Sequence, residues 1–393
     1  MSSDTLCKDK VVTTRVGTFG YYGRGNIGDE IFLETLQANS YNIIFEDLAD
    51  SNKHRTRVSK IVPSNDYKMH TKFGVSLYDY SRVVPNKIRT KYLENKLRSF
   101  DSVLLGPGGF IWLSRFPPWC DSLYIALKER HVPLHCYGLG VEPADLNNVP
   151  RQSDIKILQK WKTLLGLSET VYVRDNFSKK LLQTNSIHDH VVVVNDVAFA
   201  YPLPPPRKKD ENLVGINLRT KFVKDAEIFA DKQQLADIVD FFVDLGYKIL
   251  LIPFQTRQSN NEAENDLVIL EEIFQMAKHK GKVRIVQNAS PSEVLLHISS
   301  LDFFIGTRYH SVLFALRYGI PTCAIAYRPK VRSLMEEYYD LGEYVVSPNQ
   351  VSKIKELFID RHKNHSRAAS KTPEIEKATR LQLDSFLNSL LLT

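Results

Sequence analysis

The stretch "GTRYHSVLFALRYGIPTCAIAYRPK", residues 306–330, sets Arg308 and His310 at the head of an apolar helix and Arg328 and Lys330 one crossover later. The head of a helix carries about half a positive charge on its unpaired amides. Cations added there cost stability unless an anion joins them. Arginine grips a carboxylate or phosphate through two parallel hydrogen bonds, and histidine exchanges a proton near neutral pH. A helix expected from about Thr307, with these four side chains around it, reads as a site for a small polyanion. The plainer reading is a surface Arg308 and a core His310.

Other residues fall at similar places. Arg174 follows the strand-like "VYV" of "VYVRDNFS", where it points toward a cleft or pairs with Asp175. Arg219 closes "GINLR" in the same way, and His135 sits inside a strand, as a core histidine would. "GRGNIGDE" is a glycine loop between a strand and a helix. It is neither GxGxxG nor GxxxxGK[ST], so no dinucleotide or Walker-type site is expected. Gly25 lets the backbone approach a ligand. Asn26 and Asp29 suit sugar hydroxyls, with Asp29 as a base or as a helix cap. "GPGGF" brings Gly108 and Gly109 to a second close-approach turn on the same cleft. The "HDH" at 188–190 lacks further ligands, so no metal is expected. No Ser-His-Asp or Cys-His arrangement is spaced for nucleophilic catalysis.

The elements that must position these groups alternate. β-Branched runs such as "YNIIFED", "DSVLL" and "HVVVV" are separated by helical stretches, the pattern of a parallel sheet covered on both faces. After "YPLPPPRKKDEN" the pattern repeats through "LVGINLR", "YKILLIPFQ", "KVRIVQN", "LDFFIG" and "TCAIAYR". The expected class is α/β, two Rossmann-like doubly wound domains facing a cleft, an architecture called GT-B. The expected domains are 1–203, a Pro-rich linker 204–212, and 213–393 ending in a helix over about 373–392. "SPSEVLLHISS" is expected to be a boxed helix with Pro291 in its first turn and Glu293 reaching back. Ligands of such folds sit at the carboxyl ends of the strands.

Composition narrows the class. At 393 residues and 43% hydrophobic, the chain can bury two cores. No apolar run is long enough to span a bilayer. "MSSDTLCKDKVVTTR" lacks a signal-peptide core, so a cytoplasmic location is expected, a Golgi lumen being the alternative if an anchor was removed. Cys7, Cys120, Cys136 and Cys323 form no framework and read as idle thiols. Much of the net +7 lies in residues 52–99, with twelve Lys or Arg against three Asp or Glu. That stretch is either a solvated face or a contact for an anionic membrane surface or acidic glycan. Aromatics are not interleaved with it, so no nucleic-acid partner is expected.

"GYYGRGNIGDE", "LLGPGGF", "YGLGVEP", "VYVRDNFS" and "GTRYHSVLFALRYGIPTCAIAYRPKV", in this order over residues 17–331, resemble the polysaccharide pyruvyl transferases. That resemblance implies a GT-B-like fold without a cofactor. It implies transfer of an enolpyruvyl unit from phosphoenolpyruvate, a co-substrate, to two hydroxyls of a saccharide, forming a pyruvate ketal. It makes Arg308 and His310 catalytic, and gives Arg174, Arg328, Lys330 and His135 to the donor, whose carboxylate or phosphate Arg308 and Arg174 are expected to hold. Tyr309 stands where the family commonly has leucine. The chemistry agrees with the residues: the donor carries a carboxylate and a phosphate. His310 is then expected as general acid and Asp29 as base, with Gly25, Asn26, Asp29, Gly108 and Gly109 on the acceptor side. Two alternatives stand beside this. One is a nucleotide-sugar glycosyltransferase with Glu293 or Asp302 on a ribose. The other is a non-catalytic glycan- or membrane-surface-binding protein.

Overall fold

The computed structural model describes residues 13–20, 26–48, 85–114, 116–142, 151–207, 212–219, 231–256 and 265–392. Gly25, most of the basic stretch 52–99 and part of the linker at 208–211 lie outside them.

The first half builds β1 (Thr14–Phe19), β2 (Ile43–Asp47), β3 (Ser102–Leu105), β4 (Gly108–Trp112), β5 (Leu134–Glu142), β6 (Val171–Val173) and β7 (Val191–Val193). Their order is β2-β1-β3-β5-β6-β7, with β4 beside the far end of β5. The second half builds β8 (Leu213–Asn217), β9 (Lys248–Leu251), β10 (Val283–Ile285), β11 (Phe303–Gly306), β12 (Thr322–Ile325) and β13 (Val345–Val346), ordered β10-β9-β8-β11-β12-β13. The ladders between these strands are parallel. Parallel strands need helical crossovers that cover both faces. Ser102–Leu105 and Phe303–Gly306 are accordingly buried at every residue.

"LLGPGGF" does more than turn. Gly106 (φ 100°) and Gly108 (φ 124°) take backbone conformations that side chains disfavour. The chain then resumes as β4, pairing Gly108 with Leu139 and Trp112 with Glu142. This extends the sheet beyond β3 and holds Glu142 at its carboxyl edge. The box at Ser290 and Glu293 forms as expected, with Pro291 at the helix start.

The final helix is longer than its sequence suggests. It runs Arg361–Leu390 with Pro373 inside it. Its apolar face returns to the first sheet, where Phe386 stacks on Tyr137 with centroids 4.2 Å apart. Gln382 accepts a hydrogen bond from the Asn195 amide at 2.8 Å. Among the described residues no helix is long and apolar enough to cross a membrane.

Candidate active site

The carboxyl ends of the two sheets face each other, and both sides supply charge. Arg174 follows β6, and its backbone amide donates to Leu139 in β5. Its guanidinium is buried. It donates to Asp196 at 3.2 Å and Glu142 at 3.3 Å, and lies over the Tyr309 ring at 5.2 Å. Asp175, the partner suggested by sequence, is 4.0 Å away and instead caps the Asn176–Thr184 helix through the Ser178 amide. Burial alone would weaken the charge on Arg174, but Asp196 and Glu142 hold it well above its usual proton affinity.

Lys330 arrives from the second half. Its Nζ donates to Glu142 Oε1 at 2.6 Å, the same oxygen that Arg174 reaches. Burial would raise the Glu142 pKa, yet Lys330 and Arg174 hold it down to about 2. These residues, with Arg328, Arg332 and Phe177, line a cavity of about 180 Å³ between the halves.

His310 lies in the first turn of the Tyr309–Arg317 helix. Its ring meets the Phe32 ring edge-on with centroids 5.0 Å apart, and its Nε2 is 3.6 Å from Asp196 Oδ2. That nitrogen and Arg174 Nε are buried without a hydrogen-bond partner. Burial lowers the His310 pKa, partly opposed by Asp196. Asp196 itself, which burial would raise, is held at about 2 by His310 and Arg174. Asp29 is enclosed on the opposite wall, and burial with its neighbour Glu30 lifts its pKa to about 7 against the pull of Lys330, Arg174 and Arg308. Burial thus pushes the two groups in opposite senses, Asp29 toward keeping its proton and His310 toward losing it. The expectation of His310 as acid and Asp29 as base would call for the opposite directions.

The family model of the polysaccharide pyruvyl transferases matches residues 26–329. The chain belongs to that family. No protein of curated function matches the sequence. Among solved structures it is similar to UDP-GlcNAc 2-epimerase from Neisseria meningitidis bound to UDP-GlcNAc, at TM-score 0.55 and 14% identity over 97% of this chain and 100% of that one. It is also similar to a ugt transferase from Siraitia grosvenorii in complex with UDP, at 0.54 and 11% over 96% and 100%. S. aureus MnaA with UDP is a third, at 0.54 and 12% over 91% of each chain. These likenesses show the fold, two Rossmann-like domains of the GT-B type.

For a polysaccharide pyruvyl transferase the expected site residues are placed unevenly. Arg174, Arg328 and Lys330 come together at the cavity. His135 does not: it is the second residue of β5, seven residues before Glu142 and so roughly 20 Å from the carboxyl edge. Its ring packs against Phe386, and burial lowers its pKa. The structure therefore places it in the strand interior, half-buried, and not at the cavity.

Arg308 precedes its helix instead of sitting in the first turn. Its guanidinium is buried against Asp266, with Nε to Oδ2 at 2.7 Å and NH2 to Oδ1 at 2.6 Å. Asp266 also accepts from the Phe254 and Gln255 amides at 3.0 Å each. The Phe254 carbonyl in turn accepts from the Ile27 amide at 3.0 Å. Arg308 thus braces the wall that carries Asn26 and Ile27. Asn26 caps the Ile27–Ala38 helix through the Gly28 amide, the role the sequence offered to Asp29.

A side chain on Gly108 would meet Phe32 and Asp29, and one on Gly109 would overlap Glu142. These glycines admit acids to the cleft. Arg219 donates to the Tyr327 hydroxyl at 2.7 Å. Burial would raise the Tyr327 pKa, but Arg219, Lys330 and Arg308 bring it down. Glu293 accepts from Ser290, and Asp302 accepts from the Leu213 amide.

Glu142, Asp196, Asp266 and Tyr327 were not picked out by residue type. Glu142 and Asp196 carried a readable sign, since each follows a buried β-branched or apolar run. Asp266 carried none, because its partner is 42 residues away.

Proposed function

We propose that the chain transfers an enolpyruvyl unit from phosphoenolpyruvate to two hydroxyls of a saccharide, a galactose-type residue being the expected acceptor, and closes a pyruvate ketal. One observation carries this reading: Arg174 and Lys330, from opposite halves, converge on a single carboxylate oxygen of Glu142. That point is where an anionic oxygen is held, and a donor carboxylate or phosphate competes for it. Arg328 lines the same cavity and completes an anion-binding wall.

The protonation states suggest the order of events. Two titratable groups pushed apart by their surroundings mark an acid and a base. Protonated Asp29 gives its proton to the donor methylene carbon, leaving an oxocarbenium-like centre at the neighbouring carbon. One sugar hydroxyl attacks there and its proton passes to His310. Asp196 stabilises the resulting imidazolium, as a carboxylate behind a catalytic imidazole does. The carbon–oxygen bond to phosphate then breaks, and the phosphate leaves with the proton from His310. The second hydroxyl closes the ketal and returns a proton to Asp29. Arg174 and Lys330 offset the charge that collects on the leaving phosphate.

The test is phosphate release from phosphoenolpyruvate in the presence of a panel of galactosides, with calorimetric titrations of phosphoenolpyruvate and UDP. Acceptor-dependent phosphate release and binding of phosphoenolpyruvate alone are expected. Binding of UDP with no response to phosphoenolpyruvate would replace this reading with a nucleotide-sugar transferase. No turnover and no donor binding would leave a non-catalytic glycan binder.

A further inference from the structure

The Tyr309–Arg317 helix carries His310 at one end and Arg317 at the other, seven residues or about 10 Å along the axis. Arg317 is buried, yet it faces away from the cleft. Its NH1 donates to the Ala198 carbonyl at 2.7 Å and its NH2 to the Tyr201 carbonyl at 2.9 Å. Its Nε donates to Glu376 of the C-terminal helix at 2.8 Å.

Those carbonyls belong to the turn Val197–Ala200 and the residue after it. The turn is capped by Asp196, whose Oδ1 accepts from the Ala198 amide at 3.0 Å. Its other oxygen faces His310 and Arg174. The start of the segment is held as well. The Asn195 amide donates to Gln382 at 2.8 Å, and its side chain donates to Thr379 at 3.0 Å. The backbone on both sides of Asp196 is therefore fastened, by Arg317 on one side and by the C-terminal helix on the other.

We propose that Arg317, anchored by Glu376, and the C-terminal helix through Thr379 and Gln382 are positioning residues that set the Asp196–His310 spacing. A guanidinium reaching two carbonyls and a carboxylate is a costly way to fill a core, since an apolar side chain of similar volume often does as well. What it adds is register: the element bearing the imidazole cannot slide relative to the element bearing its carboxylate. A loss of 1 Å at such a pair is enough to slow a reaction about 100-fold. The role in turnover rests on the proposed pyruvyl transfer, whereas the effect on the pair does not.

The experiment compares Arg317→Lys and Gln382→Leu with the unaltered chain. Lysine keeps a charge for Glu376 but cannot span both carbonyls. Three quantities are read: the melting temperature, the His310 titration by NMR of ring-labelled protein without substrate, and the pH profile of kcat/KM. The charged groups acting on His310 are Asp196 on the turn, Arg174 after β6 and Lys330 after β12. The Ile27–Ala38 helix sets Gly28 and Phe32 against its ring, with Asp29 beside them. Neither substitution removes any of these.

Both variants are expected to stay folded and to titrate His310 at least about half a unit lower. The acid limb of kcat/KM is expected to move with it, and kcat to fall about 10–100-fold with donor KM within about threefold. A lowered melting temperature with an unmoved His310 titration in both variants would overturn the proposal. If the titration moves but the unaltered chain releases no phosphate from phosphoenolpyruvate, the positioning stands and the pyruvyl-transfer reading fails.

Discussion

Gly28 and His310 pack so closely that a Cβ on Gly28 would overlap Nδ1 of the imidazole. The two come from opposite halves of the chain, so the start of the Ile27–Ala38 helix forms a seat for the imidazole. Gly28 lies in the helix, and a side chain there meets the imidazole first. Gly28→Ala gains helix propensity of about 1 kcal/mol and loses the seat of His310. The expected outcome is a kcat reduced about 100-fold or more, with the melting temperature within a few degrees of the unaltered chain. Phosphate release and a thermal melt check both.

Activity should follow a bell in pH. His310 must be neutral to accept a proton, and its pKa is lowered from 6.5 by burial, so the acid limb lies below that value. Asp29 must be protonated, and its pKa of about 7 sets the alkaline limb. The profile of kcat/KM reports the unliganded groups. A mildly acidic optimum is therefore expected, and Asp29→Asn should abolish turnover. Stability carries the same signature. The unfolded carboxyl ionises near 3.8 and the folded one near 7, so folding grows less favourable as pH rises between them. Asp29→Asn should remove that decline. Allowing for solvent reached through the cleft, it should gain about 1–2 kcal/mol over the unaltered chain at pH 8 relative to pH 4. Denaturant melts at the two pH values measure the difference.

Much of this site was legible because strand ends are legible. Arg174 and Lys330 follow strand runs whose burial and alternation with helices fix which edge they occupy. His135 shows the same logic working against the family analogy: a residue at the start of a nine-residue strand cannot reach the edge where the strand ends. What the sequence leaves open concerns partners. Whether Arg308 offers its fork to a ligand or spends it depends on Asp266, brought in by a different crossover. The directions in which Asp29 and His310 are shifted were equally out of reach, because they follow from enclosure by both halves and not from residue type. The final helix, expected over about 373–392, starts at Arg361 and carries Pro373 inside it, although proline usually breaks a helix.

Lys330 offers the plainest test of the donor wall. Lys330→Met removes one of the two cations on Glu142 Oε1 and leaves Arg174 in contact with it. The lysine is partly exposed, so the fold should lose little, about 1 kcal/mol. Donor KM is expected to rise about 10-fold or more while kcat changes less. Glu142, no longer held at about 2 by Lys330, should titrate higher. Steady-state kinetics with phosphoenolpyruvate as the varied substrate, and carboxyl-carbon NMR for Glu142, give the two readings.

Arg308 separates bracing from binding. A donor-contacting arginine, replaced, raises KM and leaves the fold alone. An arginine locked to a carboxylate with no solvent exposure does the opposite, because its loss leaves Asp266 buried without its counter-charge. Arg308→Gln is expected to destabilise the chain by about 3–5 kcal/mol. The double substitution Arg308→Gln with Asp266→Asn removes both charges and keeps hydrogen-bonding groups at both positions, so it should recover a large part of that loss. Denaturant melts of the two single variants and the double variant close the cycle. A coupling near zero, with KM raised and stability intact in Arg308→Gln, would return Arg308 to the donor site.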